Sequence, residues 1–249
     1  MATALEVLKR LQLPFAGEDK VRLELLPPLS EDEFRRLEAQ VPCPIPEEAR
    51  DLFRYARGFK LLHPLLHGAH RRLSSVDLTG LDTEFGLEQV FPHAYSIADD
   101  GCGNFWVLDL THDAKLWGPI FYACHDPGVV VYQAPSVAHF IEEVLRGSEP
   151  PGRSEIHEVH EELTTRIWLE NPGVVTFEQR ADSHDEDLKI FAQSLDASYE
   201  FIDLRAPKLG DGFTWARYGP WTVNKRFGEK RLFAYKKKTK WERFKQLWK

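Results

Sequence analysis

Ile97-Ala98-Asp99-Asp100-Gly101-Cys102-Gly103-Asn104 is the stretch on which the fold turns. Apolar residues run into two acids, two glycines and an asparagine, and a second apolar run, Phe105–Leu110, follows at once. Glycine tolerates positive φ, and Asp and Asn side chains hydrogen-bond the backbone of tight turns. The spacing therefore predicts a strand at Tyr95–Ala98, a glycine-rich turn and a strand at Phe105–Leu110. Ile120–Ala123 and Val129–Tyr132, either side of His125-Asp126-Pro127-Gly128, repeat the pattern. Two hairpins in succession make a sheet the centre of the domain.

On the N-terminal side the signals are helical. Ser30 and Glu33 form an S-x-x-E capping box for a helix over 30–41, with Phe34, Leu37 and Val41 on one face. Val41-Pro42-Cys43-Pro44-Ile45-Pro46 must be extended, because each proline disfavours helix in the residue before it. A second helix starts at Pro46 and carries Ala49, Leu52, Phe53 and Ala56 at i, i+3, i+4, i+7, with Gly58 as its stop. On the C-terminal side Ser136 caps a helix bearing Val137, Phe140, Ile141, Val144 and Leu145, which ends at Gly147. The proline- and glycine-rich residues 148–154 read as a linker.

Beyond the linker a hairpin is expected from Arg166–Leu169 and Val174–Phe177 around Glu170-Asn171-Pro172-Gly173. Ser183 and Glu186 form a capping box for a helix with Leu188, Phe191 and Leu195, and strands are expected at Tyr199–Leu204, Phe213–Tyr218, Thr222–Phe227 and Arg231–Tyr235. Lys240–Lys249 places Trp241, Phe244 and Trp248 on one helical face. The domain reading is 1–147 followed by a smaller α+β extension, 155–249.

The order of these elements resembles the SUKH superfamily, which includes the yeast Smi and Knr cell-wall regulators and many bacterial immunity proteins. An acidic amphipathic helix leads to Ile45-Pro46, and a helix ending Leu52-Phe53 is followed by Gly58-Phe59. Residues 97–104 are similar to the family's I-A-x-D-G-x-G-D/N signature, and Gly118-Pro119-Ile120-Phe121 and Ser136-x-x-x-Phe140 follow in order. The likeness covers about residues 25–147. Arg57 departs from the asparagine usual before the glycine, Lys60–Gly80 is a longer insertion, and 155–249 has no counterpart. The resemblance implies an α+β fold, a mixed sheet with packed helices, and binding of partner proteins rather than catalysis.

Composition agrees with a globular chain. Of 249 residues 43% are hydrophobic and 29% charged, ample for a core. Charged residues interrupt the N-terminal apolar pattern, no run is long enough to span a membrane, and three scattered cysteines make no disulfide framework, so a reducing cytoplasm is expected. The charge is uneven. Residues 205–249 hold 14 Lys/Arg against 3 Asp/Glu, a balance of +11, whereas the other 204 residues hold 18 against 36, a balance of −18.

No G-x-S-x-G, Walker A loop or G-x-G-x-x-G is present, so no enzyme, cofactor or metal is expected. His63, His67 and His70 are interrupted by Pro64 and Gly68 and read as loop, while His157-Glu158-Val159-His160-Glu161 has its histidines at i, i+3 where a zinc-protease helix needs i, i+4. Cys102 and Cys124 read as small buried residues. The acidic turn serves structure, through turn hydrogen bonds, or contact, through carboxylates offered to a basic partner. Asp99, Asp100, Asn104, Asp109 and Asp126 are the candidate partner-binding residues. Trp221, Phe227, Phe233, Tyr235 and Trp241, interleaved with lysines and arginines, suit either base stacking or an amphipathic hairpin with buried aromatics, and the strand spacing favours the hairpin.

The function implied by the resemblance is an immunity protein that occludes a protein toxin, in this family often a nuclease or other nucleic-acid-directed enzyme. The alternative is a regulatory scaffold docking several proteins. Direct nucleic-acid or membrane binding is not expected.

Overall fold

A computed structural model describes residues 2–13, 23–65, 73–80, 86–112, 117–148, 152–175 and 184–237, without the side chains of 63–65. His67, His70, Ser183 and the expected helix Lys240–Lys249 lie outside the described residues.

The first half follows its local signals. Helix α1 (Ala4–Leu11) is capped by Thr3 and Glu6, and a short strand β1 (Leu23–Leu25) precedes α2 (Glu31–Gln40), whose Ser30–Glu33 box is made in both directions. Helix α3 (Glu47–Tyr55) begins after Pro46 and ends one to two residues earlier than expected, at an extended Ala56. Gly58 is not the helix stop. It opens β2 (Gly58–Leu65), and a Cβ there would sit 2.0 Å from the Val76 carbonyl oxygen, which fixes glycine by close strand approach. Strands β3 (Leu73–Asp77), β4 (Ala94–Asp99), β5 (Phe105–Asp109), β6 (Ile120–His125) and β7 (Gly128–Ala134) complete the two expected hairpins, and α4 (Val137–Ser148) follows.

The second half departs from its reading. Residues 166–169 are not a strand. They lie in α6 (Thr164–Glu170), which continues α5 (Glu155–Glu158) through a π-helical turn, Val159–Leu163. Asn171, at φ 48°, ends this helix in the left-handed conformation, so the Asn-Pro-Gly signal is a helix stop. After β8 (Val174–Val175), α7 (Glu186–Gln193) is capped by Asp185, whose carboxylate accepts the Leu188 N–H. Hydrogen bonds from Arg205 and then from Leu188 hold the Asp185 carboxyl down to about 2. Strands β9 (Tyr199–Asp203), β10 (Gly212–Phe213), β11 (Asn224–Arg226) and β12 (Leu232–Lys236) end the described chain, the second and third shorter than expected.

The class is α+β, with two sheets. One runs β1-β2-β3-β4-β5-β6-β7-β10 and the other β11-β12-β9-β8. The resemblance implied a mixed sheet, yet every described pairing is antiparallel.

Period-two alternation divides the side chains among three cores. Trp106, Leu108, Tyr122, Val129 and Val131 face the helices, where Ile156, Val159, Leu163 and Ile167 from the second half join them. Val107, Phe121, Ala123, Val130 and Tyr132, with Phe213 of β10, face the second sheet and meet its Ile202, Phe233 and Tyr235. Phe201, Leu232 and Ala234 on that sheet's far side pack against Leu188 and Phe191 of α7. The order of layers is helices, large sheet, small sheet, helix. Residues 155–170 therefore share the main core, and β10 extends the large sheet beside β7. Among the described residues no helix is long and apolar enough to cross a membrane.

Candidate partner-binding site

Antiparallel pairing of β5 with β6 brings the 99–104 and 125–128 turns to one end of the large sheet. The first turn is built around Asp100, which has no exposed surface. Its Oδ1 accepts the backbone N–H groups of Cys102 at 2.9 Å and Asn104 at 3.3 Å. Its Oδ2 accepts from Asn104 Nδ2 at 2.7 Å, Tyr122 OH at 3.0 Å and His160 Nε2 at 3.1 Å. A carboxylate only accepts, so His160 carries its proton on Nε2. Burial alone would raise the Asp100 pKa, but the bonds from His160, Asn104, Cys102 and Tyr122 outweigh it and hold the carboxyl well below the usual range.

The second turn is locked to the first by one side chain. Asn104 Oδ1 accepts from His125 N at 2.9 Å and faces its Nδ1 at 2.7 Å. Gly103, at φ 81°, passes under the His125 ring, where even a Cβ would be 3.5 Å from the imidazole. Beneath lie aromatic rings. Trp106 and Tyr122 are 4.8 Å apart, and His160 stacks at 6.4 Å from Trp106. The π-helical turn sets His160 here, 60 residues from its partner.

The five candidate residues thus separate. Asp99 and Asp126 are exposed on the outer rim of the paired turns, with His125 between them in the chain order of the tip. Asp100 and Asn104, buried beneath that rim, have no surface to offer a partner; their polar atoms are consumed in holding the turns. Asp109 is at the opposite end of β5 and is also fully buried. Arg226 grips it in bidentate fashion at 2.8 and 3.0 Å, and Arg231 Nε bonds Oδ2 at 2.7 Å. Arg226 also lies 5.7 and 5.5 Å from the Phe91 and Phe233 ring centres. Asp109 therefore fastens the C-terminal hairpin to the large sheet.

Two functional features escape the sequence reading. His160 belongs to the Asp100 network, and only its distance along the chain hid it. Trp221, expected in the hairpin core, is 81% exposed, with Val223 two residues on also exposed, whereas Phe233 and Tyr235 are buried as the strand pattern requires.

Residues 28–143 match the SMI1 / KNR4 family (SUKH-1). Over this segment, a little under half of the chain, the protein is similar to the SUKH-1 family. No curated protein and no solved structure matches the chain. The matched segment includes both turns of the tip and their carboxylates, while His160, Arg226 and Arg231 lie outside it.

Proposed function

We propose that the protein is an immunity protein that binds a protein toxin and covers its active surface, with the tip formed by Asp99, His125 and Asp126 as the contact. The observation that carries this reading is a SUKH-1-like segment whose acidic tip is rigidly supported by a buried network yet exposed on its outer rim. Rigid, exposed carboxylates suit a basic groove on the partner, as in an enzyme that handles nucleic acid, and the wider −18 balance of residues 1–204 steers such a partner toward the protein. The role is occlusion, not catalysis.

The test is co-expression with the toxin encoded beside this gene. Growth is rescued by the wild-type protein, and Asp99→Lys/Asp126→Lys slows association with the purified toxin about tenfold or more at low salt. Failure of rescue by the folded wild-type protein removes the immunity reading. A scaffold docking several proteins is the second reading, favoured by the exposed Trp221–Val223 pair in the turn that leads into β11, since exposed tryptophans anchor protein contacts. Affinity capture from native lysate separates the two: one stoichiometric toxic partner supports immunity, several signalling or metabolic partners a scaffold.

A further inference from the structure

At the end of β5 remote from the tip, three side chains far apart in sequence converge. His93 precedes β4, His112 follows β5 and Glu229 lies in the β11–β12 turn, and one donor atom from each falls within 4.8 Å of the others. The geometry points to a divalent transition-metal site at His93, His112 and Glu229, suited to an ion of the Zn2+ class.

Two imidazoles and a carboxylate are the donor set of zinc sites with three protein ligands and one open position. The two rings meet edge to face at 84° with centroids 5.3 Å apart. Metal–nitrogen bonds of about 2.0–2.1 Å at a tetrahedral angle put two imidazole centres roughly 5 Å apart, so the pair shares an ion with little movement. Glu229 is already turned toward the rings. Its Oε2 accepts the His112 backbone N–H at 2.8 Å and its Oε1 pairs with His112 Nδ1.

The turn that carries Glu229 is itself anchored, because Arg226, locked on Asp109, also bonds the Glu229 carbonyl at 2.8 Å. A simple His–Glu hydrogen bond explains His112 and Glu229 but not the approach of His93. The His112 side chain is 62% exposed, which leaves the fourth position to water. A bound ion would clip the C-terminal hairpin to both flanks of the β4–β5 pair. A second cluster, His139, Glu143 and Glu155, is closed mainly by its own contacts: Glu143 Oε2 accepts the Glu155 N–H at 2.8 Å, Arg146 forms an ion pair at 3.1 Å with its other oxygen, and His139 bonds Glu155 at 2.9 Å.

Cobalt(II) is the probe, since it enters zinc sites and absorbs in the visible. Titrated into the untagged, metal-free full chain, Co2+ is expected to give a band saturating at one ion per chain and bleached by equimolar Zn2+. His93→Ala and His112→Ala, with unchanged far-ultraviolet circular dichroism, each weaken Co2+ binding about tenfold or more. His139→Ala leaves the band intact. No saturable band below millimolar Co2+, a band that survives both His93→Ala and His112→Ala, or a band lost in His139→Ala overturns the assignment.

Discussion

Asp100 is a charge placed where water cannot reach it, answered by donors from the turn, from β6 and from the π-helical turn of 159–163. Removing the charge while keeping the shape leaves those donors poorly matched, so Asp100→Asn should cost about 3 kcal/mol, read as a lower urea midpoint with an unchanged slope. Tyr122→Phe removes one donor and leaves the charge answered by the others, and should cost about 1 kcal/mol. The pH dependence follows from the direction of the shift. The folded pKa lies below the unfolded value of about 3.9, so the stabilisation is fully present above that value and is lost as pH falls through the folded pKa. The stability gap between wild type and Asp100→Asn should therefore be constant from neutral pH down to about 5 and shrink below about 4. A gap that widens on acidification would show that the carboxylate is not held in its charged form.

At the scale of elements, Asp109 does for the hairpin what Asp100 does for the tip. Its carboxylate takes both Arg226 and Arg231, Arg231 also bonds the Asp109 carbonyl at 3.1 Å, and Arg226 and Asp109 are 4% and 0% exposed. Breaking a buried ion pair leaves uncompensated charge, so Asp109→Ala should destabilise by about 3–5 kcal/mol and raise amide exchange in β11 and β12 above that in β6 and β7. Elements with local chemistry were legible in the sequence. The Ser30–Glu33 box, the 99–104 turn and the 125–128 turn each satisfy their own backbone groups, and all three form where expected. Elements decided by packing were not. Arg166–Leu169 is helical because Leu163 and Ile167 are drawn into the main core, and the same Asn171–Gly173 signal that can turn a hairpin then ends a helix. One unused clue lay in the strands. Ile120–Cys124 and Val129–Tyr132 are apolar at every position, where a sheet with one wet face would alternate, and this is the mark of two covered faces. The candidate site was half legible for the same reason. Turn acids are recognisable by type, but whether a given carboxylate faces solvent or a histidine 60 residues away depends on the tertiary fold.

At the scale of the whole molecule, six basic side chains of the C-terminal segment pair, among the described residues, with carboxylates of the rest of the protein. Arg226 and Arg231 are spent on Asp109, Arg205 on Asp185 and Asp203, Lys230 on Asp187, Lys236 on Asp196 and Lys237 on Glu200. The aromatics between them are spent as well, since Phe233 and Tyr235 are buried between the sheets and Phe227 stacks on Phe191. A surface that binds single strands needs the reverse, free cations tracking phosphates and exposed rings to stack on bases. Trp221 alone among these C-terminal aromatics in the described residues stands clear of the protein, and Trp221→Ala should change stability by less than about 0.5 kcal/mol. Any polyanion also meets the −18 balance of residues 1–204, screened only beyond about 8 Å at physiological ionic strength. The full-length protein is therefore expected to show no saturable micromolar binding to single-stranded or duplex oligonucleotides near physiological salt, and only weak, steeply salt-dependent association at low salt. Fluorescence anisotropy with labelled oligonucleotides measures this directly. Saturable micromolar binding that vanishes when Lys236, Lys237, Lys238 and Lys240 become Glu would overturn this expectation, and would put nucleic-acid recognition ahead of the toxin reading.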